Sequence, residues 1–185
     1  MRYNAQTGGV EIELSELVAL AFGRGNYKDE VPSEHETAGV DLNDGTSYAD
    51  VKLQHTCRYA GVLIKVTGNA QRITLDGGGV TLDYIVHCAK LPEKNDLFTI
   101  PIRQRCLGYM LAAAKDLQSI HICRVAITGN GECADSAVPF TISTLTDEYT
   151  SILSRALPYI ENCIEQNRDV KPRAAELAFP YPEIR

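Results

Sequence analysis

Residues 61–89 read GVLIKVTGNAQRITLDGGGVTLDYIVHCA, and the fold turns on how that run is divided. Val62, Leu63, Ile64 and Val66 predict a strand over 61–67, rich in the β-branched side chains that suit a pleated surface. Gly68-Asn69-Ala70-Gln71 then reads as a turn, residues 72–75 as a second strand and residues 80–87 as a third. Between the last two, Asp76-Gly77-Gly78-Gly79 is a hairpin signal, because glycine adopts the positive φ that a tight turn requires. A phosphate-binding reading of these glycines would need a helix N-terminus directly after them and usually a lysine, and neither follows. The expectation is a plain β-turn.

Upstream, residues 48–59 alternate as a strand. Residues 11–22 carry Ile12, Leu14, Leu17, Val18, Ala21 and Phe22 close to helical spacing, with Gly23 and Gly25 to close the helix. Residues 1–9 read as a flexible start, and the polar residues 24–44 as a long loop. Downstream, residues 91–98 form a polar connection. Residues 99–117 form a helix with Ile102, Cys106, Leu107, Met110, Leu111 and Ala114 on one face and Pro101 in its first turn. Residues 119–128 read as a strand, Gly129-Asn130-Gly131 as a turn and residues 137–143 as its partner. Thr146 then reads as the N-cap of a helix to about Asn167, with Asp147 and Glu148 at its positive end and Pro158 as a kink. The order predicts an α/β domain over residues 1–167, a mixed sheet of four to six strands flanked by helices. Residues 168–185 read as a proline-bearing linker.

The bulk numbers bound this picture. A chain of 185 residues fits one domain, and 44% hydrophobic with 23% charged residues is a globular composition. No run approaches the roughly 20 apolar residues of a membrane helix, and the first residues hold no secretory stretch. Six cysteines without a C-x-x-C pair read as reduced thiols in a cytoplasmic protein. A formal charge of -6 weighs against a broad electrostatic grip on a phosphate backbone and leaves local strips: Arg103 with Arg105, and Arg168 with Lys171 and Arg173.

The chain resembles the RecB-like PD-(D/E)XK nuclease fold, in the version found ahead of DinG/XPD-like DNA helicases. IELSELVALAFGRGNYKD is similar to the family's opening helix. YADVKL followed by LIKVTGNAQRI is similar to a Y-x-x-E-V-x-L strand and a G-R-A-D-G-I strand. RQRCLGYMLAAA is similar to a helix reading Q-x-x-x-Y-A-Y, and FPYPEIR to the segment that opens the helicase region. The resemblance implies a nuclease-like domain N-terminal to a helicase motor, acting on DNA in repair or recombination, with ATP chemistry outside this chain.

The resemblance also implies Mg²⁺ held by carboxylates on adjacent strands, with a lysine orienting the attacking water. Here the metal-binding Asp falls at Gln71, the next strand's acid at Tyr84 and the Lys at Val86. The motif's Arg falls at Asn69, the helix Gln at Arg103 or Gln104, and the upstream His at His35. Asp83 is adjacent to Tyr84, but strand neighbours point to opposite faces. The expectation is a catalytically inactive module with no cofactor that positions DNA or packs on the motor domains of the same polypeptide or on a partner. DNA contacts are expected at Arg103, Arg105 and Lys115. The alternatives are an active Mg²⁺ nuclease with a site relocated to Asp76, Asp83 or Glu93, and a stand-alone interaction domain. His87 with Cys88 and His121 with Cys123 read as strand residues rather than a metal site, and the tyrosines as packing residues.

Overall fold

The computed structural model describes residues 1–23, 47–77 and 79–167. The expectations for residues 24–44, for His35, for the strip of Arg168, Lys171 and Arg173 and for the 168–185 linker lie outside the described residues.

The strands are β1 (Arg2–Asn4), β2 (Gly9–Glu13), β3 (Ser47–Tyr59), β4 (Val62–Asp76), β5 (Gly79–Cys88), β6 (Ser119–Thr128) and β7 (Cys133–Thr141). The helices are α1 (Leu14–Ala21), α2 (Lys94–Leu97), α3 (Ile102–Lys115) and α4 (Ile142–Asn167). The described strands form one sheet in the order β1-β2-β4-β5-β6-β7, with β3 added on β4. The β2–β4 and β5–β6 pairs are parallel and the others antiparallel, so the sheet is mixed and flanked by helices, as the element order predicts, with seven described strands against the four to six expected. Parallel β5 and β6 need a crossover, and α3 supplies it.

The structure corrects several boundaries. Residues 1–9 hold β1 and the start of β2, and the strand runs on through Ile12 before α1 begins. Val10 and Ile12 are buried on one face of β2, a period of two hidden inside an apolar run that also fits a helix. Glu13 ends the strand by capping α1, its carboxylate accepting the Ser15 N–H at 2.8 Å. Gly68 to Gln71 is no turn, since β4 runs straight through it. A Cβ on Gly68 would lie 2.7 Å from Leu107 Cδ2 and 3.4 Å from Leu14 Cβ, so this glycine serves close packing of helices on the strand. The polar connection contains α2, and Pro101 takes the N-cap position of α3 rather than its first turn. β7 starts at Cys133 rather than 137, and α4 starts at Ile142, leaving Thr146 inside the helix with its hydroxyl donating to the Ile142 carbonyl at 2.7 Å. The helix continues through Pro158.

Helices α1, α3 and α4 share one face of the sheet. Leu14 and Leu17, then Leu107, Met110 and Leu111, then Leu145, Tyr149, Ile152, Ala156 and Ile160 bury against Ile64, Val66, Ile73, Leu82, Ile120 and Ile122. A Cβ on Gly108 would meet Ile122 and Leu145, which places α3 between sheet and α4. This single apolar layer is the core.

Candidate functional site at the fork of the sheet

One edge of β4 pairs with β3 along most of its length. The other edge is divided: β2 takes Ile64 to Thr67 and β5 takes Arg72 to Asp76. Residues 68–71 fall between the two partners, while β5 continues from Tyr84 to Cys88 against β6 alone. The sheet therefore forks there.

At the fork the inward phase of both long strands changes. On β4, Ala70 is buried and the next buried residue is Ile73, an odd interval that reverses the pleat. On β3, Val51 and Leu53 are buried, and Tyr48, three residues before Val51, also packs on the core. The reversal sits at Asp50, with φ of 51°, a left-handed conformation that costs a non-glycine residue about 1 kcal/mol or more. The flanking register, Ala49 with Arg72 and Val51 with Ala70, sets Asp50 opposite Gln71. The Gln71 side chain reaches across the gap, and its Oε1 accepts the Ile85 N–H at 2.6 Å. A side-chain amide here replaces the ladder bond that the diverging strands no longer make.

The remaining predicted positions surround that bridge. Tyr84 is buried on the helix side, and its hydroxyl donates to the Thr99 carbonyl at 3.2 Å. Burial raises the Tyr84 pKa, and the Arg124 guanidinium partly opposes the rise. Val86 packs on the core. Asp83 faces the other side of β5, its Oδ2 held by Arg72 Nε at 2.6 Å from the directly paired position on β4. Beside the fork, Glu13 caps α1, and Arg103 Nη2 approaches its Oε1 at 3.9 Å. Arg105 pairs with Glu148 of α4, and Lys115 closes the far end of α3, so the three expected basic residues do not share one surface. Asp76 and Glu93 are exposed at separate loops.

These groups do not fit a hard divalent cation. Such an ion wants several oxygen ligands, preferably anionic. The fork offers an amide oxygen already bonded to Ile85, a phenol bonded to Thr99, an isopropyl group, the Glu13 carboxylate committed to capping and to Arg103, and the exposed carboxylate of Asp50 opposite Gln71. Among the described residues, no three His, Cys, Asp or Glu side chains converge. His87 and His121 are exposed, and Cys123 is buried on the Asp83 side of the sheet, directly paired with it.

A second constellation escaped the sequence reading. His55 of β3 lies between Tyr109 of α3 and Tyr149 of α4, with Nδ1 3.2 Å from the Tyr149 hydroxyl and Nε2 3.5 Å from the Tyr109 hydroxyl. It meets both rings edge-on, and the two tyrosines stack at 4.3 Å. The signal was present in the alternation Val51, Leu53, His55, Cys57, which points His55 inward. Burial lowers the His55 pKa and raises those of Tyr109 and Tyr149. Because the folded-state value lies below the unfolded 6.5, the folded chain binds fewer protons than the unfolded one at mildly acid pH. The stabilisation is whole above pH 6.5 and declines as pH falls below it. Urea midpoints measured at stepped pH should fall on this limb, and the fall should be shallower in His55→Gln. An identical limb in the variant would clear His55 of the effect.

No protein-family model matches this chain, and no curated protein matches it. Solved structures similar to this chain include the following two. The alkaline exonuclease LHK-Exo from Laribacter hongkongensis aligns at 12% identity and a TM-score of 0.44, over 95% of this chain and 98% of that one. The protein SSO0001 aligns at 14% identity and a TM-score of 0.37, over 58% of this chain and 49% of that one, so the aligned part spans about half its length.

Proposed function

We propose that this chain is a nuclease-like domain that does not cleave DNA. It serves as an N-terminal module of a DNA helicase in repair or recombination, positioning DNA or packing on the motor domains. The motif resemblance supports the class. The observation that carries the loss of catalysis is the commitment of the three ligand positions: the Gln71 amide oxygen to Ile85, the Tyr84 hydroxyl to Thr99 and the Val86 side chain to the core.

The test is incubation with single- and double-stranded DNA in Mg²⁺ or Mn²⁺, alongside calorimetric titration with Mg²⁺. No cleavage and no saturable heat are expected. Cleavage that Asp83→Ala abolishes would establish the relocated site instead. The helicase assignment is checked separately in the gene: a Walker A motif encoded downstream in the same reading frame supports it, and a gene without an ATPase motor removes it.

A further inference from the structure

The face of the sheet opposite the three helices differs in character from the core face. Cross-strand pairs share a face, so the register defines its rows. One row is Arg2, Glu11, Lys65 and Thr56, with Lys65 Nζ 3.5 Å from Glu11 Oε1. Others are Gln54 with Thr67, Lys52 with Asn69, and Arg58 with Leu63. Beyond the pleat reversal, Arg72 comes onto the same face.

Lys52, Gln54, Thr56 and Arg58 are all exposed along β3. At about 3.4 Å per residue they make a polar strip about 20 Å long with a side chain every ~7 Å. In this wing of the sheet the basic residues are Arg2, Lys52, Arg58, Lys65 and Arg72, against Glu11, the Asp83 that Arg72 already holds, and Glu13, which the register sets opposite Thr67 and whose carboxylate caps α1. A chain with a formal charge of -6 thus carries these basic side chains on one face of its sheet. The tyrosines of these strands do not join them: Tyr48 and Tyr59 pack on the core, and Tyr3 pairs with buried Val10.

We propose that this face, centred on Lys52, Arg58 and Lys65, binds the phosphodiester backbone of duplex DNA. The inference rests on the reading that the domain works on DNA. Lysine and arginine neutralise phosphates, and Gln54, Thr56, Thr67 and Asn69 supply the neutral hydrogen-bonding groups that also contact phosphate oxygens. A single strand is usually held by bases stacked on aromatic rings, which this face lacks among the described residues. With these groups on phosphate oxygens, the proposed binding is indifferent to sequence.

The test is fluorescence anisotropy of the full chain with a labelled duplex of about 20 base pairs and its single strand, between 50 and 200 mM salt. If all five cations engage phosphates, log affinity falls against log salt with a slope of about -4.5, roughly a 500-fold loss over that range. Lys52→Gln with Arg58→Gln should flatten the slope to about -2.7 and weaken every duplex alike. An Arg155→Gln control on α4 should bind as the parent does, and unchanged melting temperatures would show that the surface variants fold. If the double variant matches the parent while Arg103→Gln with Lys115→Gln loses binding, DNA is bound elsewhere and this face is excluded. A single strand held more tightly than duplex overturns the assignment to duplex. A parent chain that binds neither DNA overturns the inference and the DNA-positioning reading together.

Discussion

Tyr149→Ala is expected to lower the free energy of unfolding by about 3–5 kcal/mol, the range for truncating a fully buried aromatic residue. The tyrosine is 1% exposed and lies where β3, α3 and α4 meet. Its ring stacks on Tyr109 and takes the edge of His55, so removal opens a cavity and strips packing from two neighbours. The loss of its hydroxyl also leaves His55 Nδ1 without that partner. Tyr149→Phe separates the terms. It keeps the ring and removes only the hydrogen bond, worth about 0.5–1.5 kcal/mol. Denaturant unfolding of both variants checks the division. Should Phe cost as much as Ala, the polar contact rather than the packing would hold the layer together.

Arg105→Ala is expected to cost about 2 kcal/mol of stability. Breaking a fully buried ion pair from one side costs about 3–5 kcal/mol, and a discount applies because these side chains are 29% and 24% exposed. The Glu148 carboxylate would be left between α3 and α4 beside Cys106, with Oε2 already lacking a hydrogen-bond partner. That setting is poorly solvated: burial pushes the Cys106 thiol up to about 12, with the Glu148 charge adding to the rise and Arg105 opposing it. Arg105→Ala with Glu148→Ala should therefore be more stable than Arg105→Ala alone. Melting curves of the single and double variants decide it, and a double variant no better than the single would show that the remaining carboxylate was not the burden.

The contrast between these residues shows what was legible in the chain. β6 was readable to the residue because Ile120, Ile122, Val125 and Ala126 are apolar and a turn follows at Gly129. The β4–β5 hairpin was readable from its glycines, and α3 from its apolar stripe. The body of β4 was not. Its pleat reverses at Gln71, so period-two patterning fails at the centre, and a strand crossed by Gly-Asn-Ala-Gln looks like two strands and a turn. β2 was lost for a related reason, since Glu13 both ends a strand and caps a helix, leaving no polar gap between them. At the site, the identities of Gln71, Tyr84 and Val86 were plain in the sequence. Their hydrogen bonds were not, because the partners Ile85 and Thr99 come together only through the fork and the β5–α3 connection. The ion pairs of Arg103 and Arg105 are long-range in the same way.

The amide bridge at Gln71 has an evolutionary consequence. An aspartate introduced there alone would shorten the side chain that spans the gap and forfeit the Ile85 contact, while Tyr84 and Val86 would still offer an ion nothing. The bridge would be lost with no set of anionic ligands gained. On the reading proposed above, more than one exchange at the fork would be needed before a divalent cation met a set of anionic ligands.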